Sequence, residues 1–186
     1  MNSSIFFNKS FRFAALASAV ALGVFSASSS FAAAVGADTT ADVIDPIAIT
    51  NSIPLAFGRF ASTGTAGTVI VDTANARTQS GGVILSDVDS TSTAAVFDVT
   101  GDSNATYGIT WAKTVLTGSE SGTMSLAKIT DLTGGGGTTV ADTASVDGGA
   151  LTGGSQSIYL GGVLTVDANQ AAGDYAGTVT ATVEYN

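Results

Sequence analysis

The stretch from Tyr175 to Asn186 alternates between two kinds of side chain without interruption. One face would carry Tyr175, Gly177, Val179, Ala181, Val183 and Tyr185, and the opposite face would carry the small or polar residues between them. A period of two puts one set of side chains in a core and the other in water, so the stretch predicts a half-buried strand. We therefore expect a core strand at the C-terminal end of this sequence.

The first 34 residues have the pattern of an export signal. Lys9 and Arg12 precede a short apolar run, Phe13–Phe25, and small residues follow it. A run of about a dozen apolar residues is too short to span a bilayer and is typical of a signal peptide. Residues 1–34 are thus predicted to be a signal peptide cleaved near 32–34, leaving a mature chain that is exported and has no membrane span.

The net charge of the mature chain limits which classes of molecule it can bind. The sequence has six basic and fifteen acidic residues, and two of the basic ones, Lys9 and Arg12, lie in the predicted signal. Four basic against fifteen acidic residues then give the mature chain a net charge of −11. Nucleic acid is excluded as a partner, because its binding relies on Lys and Arg that neutralise phosphates.

The mature chain is predicted to be all-β. It is rich in Thr, Val, Ala and Gly, and its short β-rich runs are separated by turn signals, as in a one-domain sandwich or barrel. Asp131–Gly154 is expected to be a long loop with a weak strand near Val146. The predicted strands are Ile53–Phe57, Thr68–Asp72, Val83–Leu85, Ala94–Thr100, Thr106–Trp111, Thr123–Ile129, Ser157–Val166 and the final strand.

Two local features refine this prediction. The Gly161–Gly162 pair interrupts a strand and predicts a bulge. The inward side chains of that strand are expected to be Ile158, Leu160, Leu164 and Val166. In addition, Gly173–Tyr175 resembles the corner of immunoglobulin-like sandwiches, where a tyrosine hydroxyl bonds back to nearby backbone; a core aromatic residue after a turn is the alternative.

The start of the mature chain alternates as well. From this pattern we predict a strand over residues 35–43 that belongs to an N-terminal extension, residues 35–45. A second strand, Ile47–Thr50, then opens a sandwich domain over residues 46–186. One face of the extension carries Val35, Ala37, Thr39, Ala41 and Val43, and the other carries Gly36, Asp38, Thr40 and Asp42.

The terminal strand resembles that of pilins secreted by the chaperone–usher route, which carry a glycine fourteenth from the end and a penultimate tyrosine. Gly173 and Tyr185 occupy those positions. The resemblance implies an immunoglobulin-like, pilin-type sandwich that lacks one strand and is completed by the extension of a neighbouring subunit. The residues that would line the groove and face a chaperone are Gly173, Tyr175, Val179, Ala181, Val183 and Tyr185.

As a pilin-like protein, the chain would be a structural subunit of a fimbria that supports adhesion or biofilm formation. Its partners would be identical subunits, a periplasmic chaperone and an outer-membrane usher, and it would pass through the periplasm to the cell surface. Val43–Thr50, followed by Leu55–Gly58, is also similar to the start of domain-of-unknown-function family 4402, a set of secreted bacterial β-proteins.

Catalytic chemistry has little support in the sequence. Without His or Cys there can be no Ser-His-Asp or Cys-His catalysis, and the commonest zinc ligands are missing. We expect no enzyme activity, cofactor or metal site. Two alternatives remain: a self-complemented secreted or surface module, for example for glycan, in which residues 35–43 complete their own sandwich, and a glycosidase that uses a carboxylate pair such as Asp87 and Asp89.

Overall fold

A computed structural model describes residues 32–112, 115–137 and 146–186. Most of the predicted signal peptide, residues 1–31, lies outside this range. The described chain is built from strands in two antiparallel sheets, which confirms the all-β sandwich prediction. Asp42–Asn186 form one compact unit. In the described ranges, no helix has the length and apolar character needed to cross a membrane.

The strands follow one another along the chain with turns or loops between them. The larger sheet contains β1 (Ala48–Ile53), β2 (Phe60–Val71), β3 (Arg77–Leu85), β4 (Ala95–Thr100), β6 (Val115–Gly118), β7 (Thr123–Asp131), β9 (Ser155–Val166) and β10 (Tyr175–Ala176). The smaller sheet contains β5 (Thr106–Trp111), β8 (Gly148–Ala150) and β11 (Ala181–Tyr185).

Strand β9 lies at the centre of the larger sheet. Its first half, Ser155–Leu160, pairs with β4, and Gly162–Val166 pairs with β2. Strand β7 pairs with residues 159–164 of β9 and so overlaps both of those partners, which places it on the opposite edge. Because its central residues 159–164 are paired on the β7 edge and most of its length is paired on the other edge, β9 holds the other strands in register.

Two groups of buried side chains fill the space between the sheets. The first group is Phe57, Val69, Val71, Val83, Met124, Leu126, Leu164 and Val166. The second is Ala95, Phe97, Val99, Tyr107, Ile109, Leu151, Ile158 and Leu160, with the Phe97 ring edge-on to Trp111 at 5.7 Å. All four residues predicted to point inward from β9 are buried in these groups.

The bulge predicted at Gly161–Gly162 is wrong. Both glycines keep an unbroken register with β7, where Gly161 faces Ile129 and Gly162 faces Lys128. These positions lack a side chain for a different reason: a Cβ at Gly161 would clash with the backbone of Val71 in the neighbouring strand β2. Glycine is required here because another backbone approaches closely.

Most strand predictions are confirmed in position, although β2 and β3 begin earlier than expected, at Phe60 and Arg77, and other parts of the prediction differ from the structure. Ile53–Phe57 is not a strand: β1 ends at Ile53, and only Ala56 forms an isolated bridge, with Thr93. Strand β6 was not predicted at all. Strand β8 lies inside the expected long loop, two residues beyond Val146, where the sequence indicated at most a weak strand.

The final strand is split into β10 and β11. Tyr175 pairs with Gly118 of β6, whereas Tyr185 pairs with Tyr107 of β5. Between these two ladders, the pairing of the C-terminal stretch with residues 107–118 is offset by one residue. The odd-numbered side chains nevertheless keep to the inner face, since both tyrosines pack against the buried groups. The predicted alternation is therefore confirmed, and the single continuous strand is not.

The close approach at β9 gives a stability prediction. Gly161→Ala should lower the free energy of unfolding by roughly 1–3 kcal/mol, because the new methyl group has only backbone to displace. Gly64→Ala is the matched control, since nothing lies within 4 Å of a Cβ at that position in β2. Urea unfolding followed by circular dichroism would measure both variants, and equal midpoints would contradict this role for Gly161.

Candidate functional site

The first and last strands of the sandwich each have one open edge. In the described part of the chain, β1 forms a ladder with β4 alone and β11 forms a ladder with β5 alone. The two strands belong to different sheets, yet their Cα atoms approach within 8 Å. Their free edges therefore border the same gap between the sheets, which we call the groove.

Five of the side chains predicted to face a groove form a half-buried row along the C-terminal stretch. Tyr175, Val179, Ala181, Val183 and Tyr185 are all half-buried, and the residues that alternate with them are exposed. Val179 packs against both buried groups and thus marks the place where they meet. None of the five side chains is fully covered, so this wall of the core remains partly open to solvent.

One end of the groove widens into a cleft of about 760 Å³. Its floor is apolar, with Phe57, Leu116, Met124 and Leu164, and its walls are the segments 55–62 and 170–175. Gly173 lies in the second wall, where its φ of 151° favours glycine. The structure thus brings Gly173 and Tyr175 together with residues 55–62, for which the sequence predicted no role in a groove.

Hydrogen bonds fix the two ends of the groove. At one end the Tyr185 hydroxyl donates to the carbonyl of Asp45 at 2.7 Å and accepts the N–H of Asp102 at 2.6 Å. At the cleft end the Asn169 N–H donates to the Thr63 carbonyl at 2.8 Å. The chain before and within the first strands therefore runs antiparallel to the C-terminal stretch, and the gap lies between these two fixed points.

Arg77 holds the wall of the cleft formed by residues 57–59. Its guanidinium, with the side chain only 9% exposed, donates to the carbonyls of Phe57 at 3.2 Å and of Arg59 at 3.3 Å. It also donates to Ser90 at 2.9 Å and pairs with Asp87 at 3.1 Å. A planar group with five donors suits this task, because Phe57 lies outside the strand ladders. The Arg59 carbonyl also accepts the backbone N–H of Ser86 at 2.9 Å.

Tyr175 forms the corner suggested by the sequence. Its hydroxyl lies 2.8 Å from the carbonyl oxygen of Ala171, four residues upstream, and 2.8 Å from the side-chain nitrogen of Gln170. The Ser121 carbonyl oxygen lies 3.0 Å from the same hydroxyl. The corner thereby ties the start of the C-terminal stretch to the turn before it and to the turn that follows β6.

The N-terminal extension has no secondary structure in this single chain. Residues 32–47 form neither helix nor strand, and the side chains of residues 32–46 are exposed. Val35 is 98% exposed and Val43 is 93% exposed. A strand needs a neighbour to pair its N–H and C=O groups, so the strand predicted for residues 35–43 requires a partner that supplies an edge.

The carboxylates near the surface have structural partners. Asp87 pairs with Arg77, and Asp89 lies 3.9 Å from Arg59, so both members of the suggested catalytic pair contact arginines. Hydrogen bonds from the hydroxyls of Ser157 and Ser52 hold the pKa of Asp98 below its ordinary value. The described residues include no cluster of three or more potential metal ligands.

Sequence reasoning missed the half of the groove that lies before β2. Leu55 and Phe57 were expected in the strand Ile53–Phe57, and Arg59 and Arg77 entered the prediction only through the net charge. The turn residue Gln170 was also overlooked. One usable signal was present: an apolar pair next to a lone arginine in a chain with so few basic residues.

The two hydrogen bonds of Tyr185 give a second prediction. Tyr185→Phe leaves the Asp102 N–H without its partner and releases the chain at Asp45, which should cost about 1–3 kcal/mol of unfolding free energy. Tyr159→Phe is the control, since the Tyr159 hydroxyl has no hydrogen-bond partner among the described residues. Thermal unfolding of both variants would measure the difference, and equal melting temperatures would rule out the proposed bracing.

Comparison with known proteins gives one family. The model of the family described as domain of unknown function (DUF4402) matches residues 47–185, from the residue before β1 to the end of β11. No curated protein and no solved structure matches the chain significantly. The matched region contains both walls of the groove and excludes the exposed extension. This protein therefore belongs to the DUF4402 family.

Proposed function

We propose that the protein is a structural subunit of an extracellular pilus or fimbria, in which the extension of one copy fills the groove of the next. The observation that carries this proposal is the pair of open strand edges, β1 and β11, on either side of one apolar gap. A strand placed there pairs with both edges and covers half-buried side chains. Unpaired strand edges and uncovered apolar side chains raise the free energy of the subunit, and they favour pairing with another strand.

The extension has the length and pattern of such a strand. The wall from Tyr175 to Tyr185 spans ten residue steps, roughly 33 Å, and residues 35–43 span roughly 26 Å when extended. Five small or branched side chains of the extension would face the floor of the groove. The cleft is already open, while β1 and β11, which approach within 8 Å, have to part by at least about 2 Å to admit a strand 4.8 Å from each.

Backbone pairing must supply much of the binding energy. Even Val35 and Val43 contribute at most about 1.5–3 kcal/mol each when fully buried, and the side chains between them are smaller. Release of the strand, however, requires that two ladders break together and that the groove reopens. Persistence of the filament is then set by a slow dissociation rate rather than by a large free energy.

The proposal includes the export route suggested by the resemblance to pilins. Before assembly, a strand of a periplasmic chaperone would pair with β11 and cover the row from Val179 to Tyr185, and an outer-membrane usher would then exchange it for the next subunit. An unprotected groove would otherwise lead to aggregation in the periplasm. The location that follows is the cell surface, where a fimbria of this kind would support adhesion or biofilm formation.

A charge on the inner face of the extension tests the proposal. Val43→Asp should leave the protein exported but unpolymerised, because a carboxylate without a partner cannot enter an apolar groove cheaply. Thr40→Asp is the control, since it adds the same charge to the opposite face of the strand. Cold-SDS ladders and negative-stain microscopy of cell-surface material would report polymer length. Filaments of normal length from Val43→Asp would contradict the proposal.

The second test deletes the strand of the extension and then supplies it as a separate peptide. Mature protein without residues 35–43 should aggregate or unfold at low temperature, because its stability depends on a strand from a neighbour. A peptide of residues 35–43 supplied in trans should restore a soluble, cooperatively folding monomer. If the deleted protein is instead monomeric with unchanged thermal stability, the sandwich is already complete, and a self-complemented binding module is the better account.

A further inference from the structure

Arg59 is a loosely held positive charge at the mouth of the cleft. It lines the cleft, its side chain is 64% exposed, and its ion-pair partner Asp89 is 88% exposed at 3.9 Å. By contrast, the guanidinium of Arg77 is occupied by carbonyls and by Asp87. The Arg59 guanidinium makes one further contact, a long one of 3.5 Å to the carbonyl of Val88, so most of its donors are available to a ligand.

The proposed incoming strand is acidic. Asp38 and Asp42 lie on the face of the extension opposite to Val43, Asp45 follows them, and residues 35–45 contain no basic residue. On insertion this face would point towards the rim of the groove, where Arg59 lies, rather than towards the apolar floor. Asp174 lines the wall of residues 170–175, so an incoming carboxylate is favoured only on the Arg59 side.

The direction of the strand follows from the two ends of the groove. The bond from Tyr185 to the Asp45 carbonyl places the base of the extension at the end opposite to the cleft. In a head-to-tail row of identical copies, that end of one copy abuts the cleft end of the next. The residues closest to Asp45 then enter at the cleft, and Val35 extends towards Tyr185 of the receiving copy.

We propose that Asp42 of one copy forms an ion pair with Arg59 of the next, which selects an acidic strand and fixes its direction in the groove. This inference rests on the proposed strand exchange. The pair lies at the rim, so its contribution is modest and is weakened by salt. Its main effect is specificity: a strand inserted in the reverse direction would bring Gly36, not Asp42, to Arg59.

Charge reversal in the full mature chain tests the pair. Arg59→Glu and Asp42→Lys should each make strand-exchanged polymers dissociate roughly fivefold faster in SDS at low salt. The double variant should return to nearly the wild-type rate, because every interface again joins opposite charges. Arg59→Glu combined with Asp38→Lys is the control, and it should remain fast.

The outcomes separate this inference from the proposed function. If wild-type protein forms no heat-sensitive ladder, strand exchange itself fails. If the ladder forms and the double variant is no slower than the single variants, or if Asp38→Lys rescues in place of Asp42→Lys, the pair or its direction is wrong. Arg59→Gln adds a measurement independent of charge reversal: its dissociation rate should lose much of the salt dependence seen for wild type, and an unchanged dependence would overturn the inference.

Discussion

The fold is governed by the need of every strand edge for a partner. Among the residues that the structure describes, the first and last strands meet that need in different sheets, β1 with β4 and β11 with β5, and each keeps one edge without a ladder. An edge left open exposes backbone donors and acceptors and invites another strand. The cleft, the half-buried row along the C-terminal stretch and the proposed polymerisation all follow from that single division.

Strand β9 joins the two buried groups of the sandwich. It contributes Leu164 and Val166 to the first group and Ile158 and Leu160 to the second, and its backbone pairs with β2 and β4 along one edge and with β7 along the other. Around the gap, side chains take over where ladder bonds are missing. Arg77 holds one wall, and Tyr175 and Tyr185 hold the two ends of the other.

The sequence predicted what depends on periodicity. Alternation identified β9 and its four inward residues, and it identified the exposed and half-buried faces of the C-terminal stretch. It could not predict the split of that stretch, because a register shift depends on the partner strand. The role of Gly161 was predicted wrongly, because the close approach of the β2 backbone depends on the tertiary structure. The Arg59 and Arg77 positions had no periodic signal, as each acts through a single side chain.

The Tyr185 hydroxyl has a mechanical consequence. In the proposed filament, tension would enter each subunit through its extension and would reach the folded body at Asp45, where Tyr185 is bonded. The same hydroxyl would pass the load to the turn at Asp102, and β11 would be loaded along its length. Load applied in this way would shear all the hydrogen bonds of the β11 ladder at once instead of breaking them one by one. The proposed filament would then resist flow better than its equilibrium stability suggests.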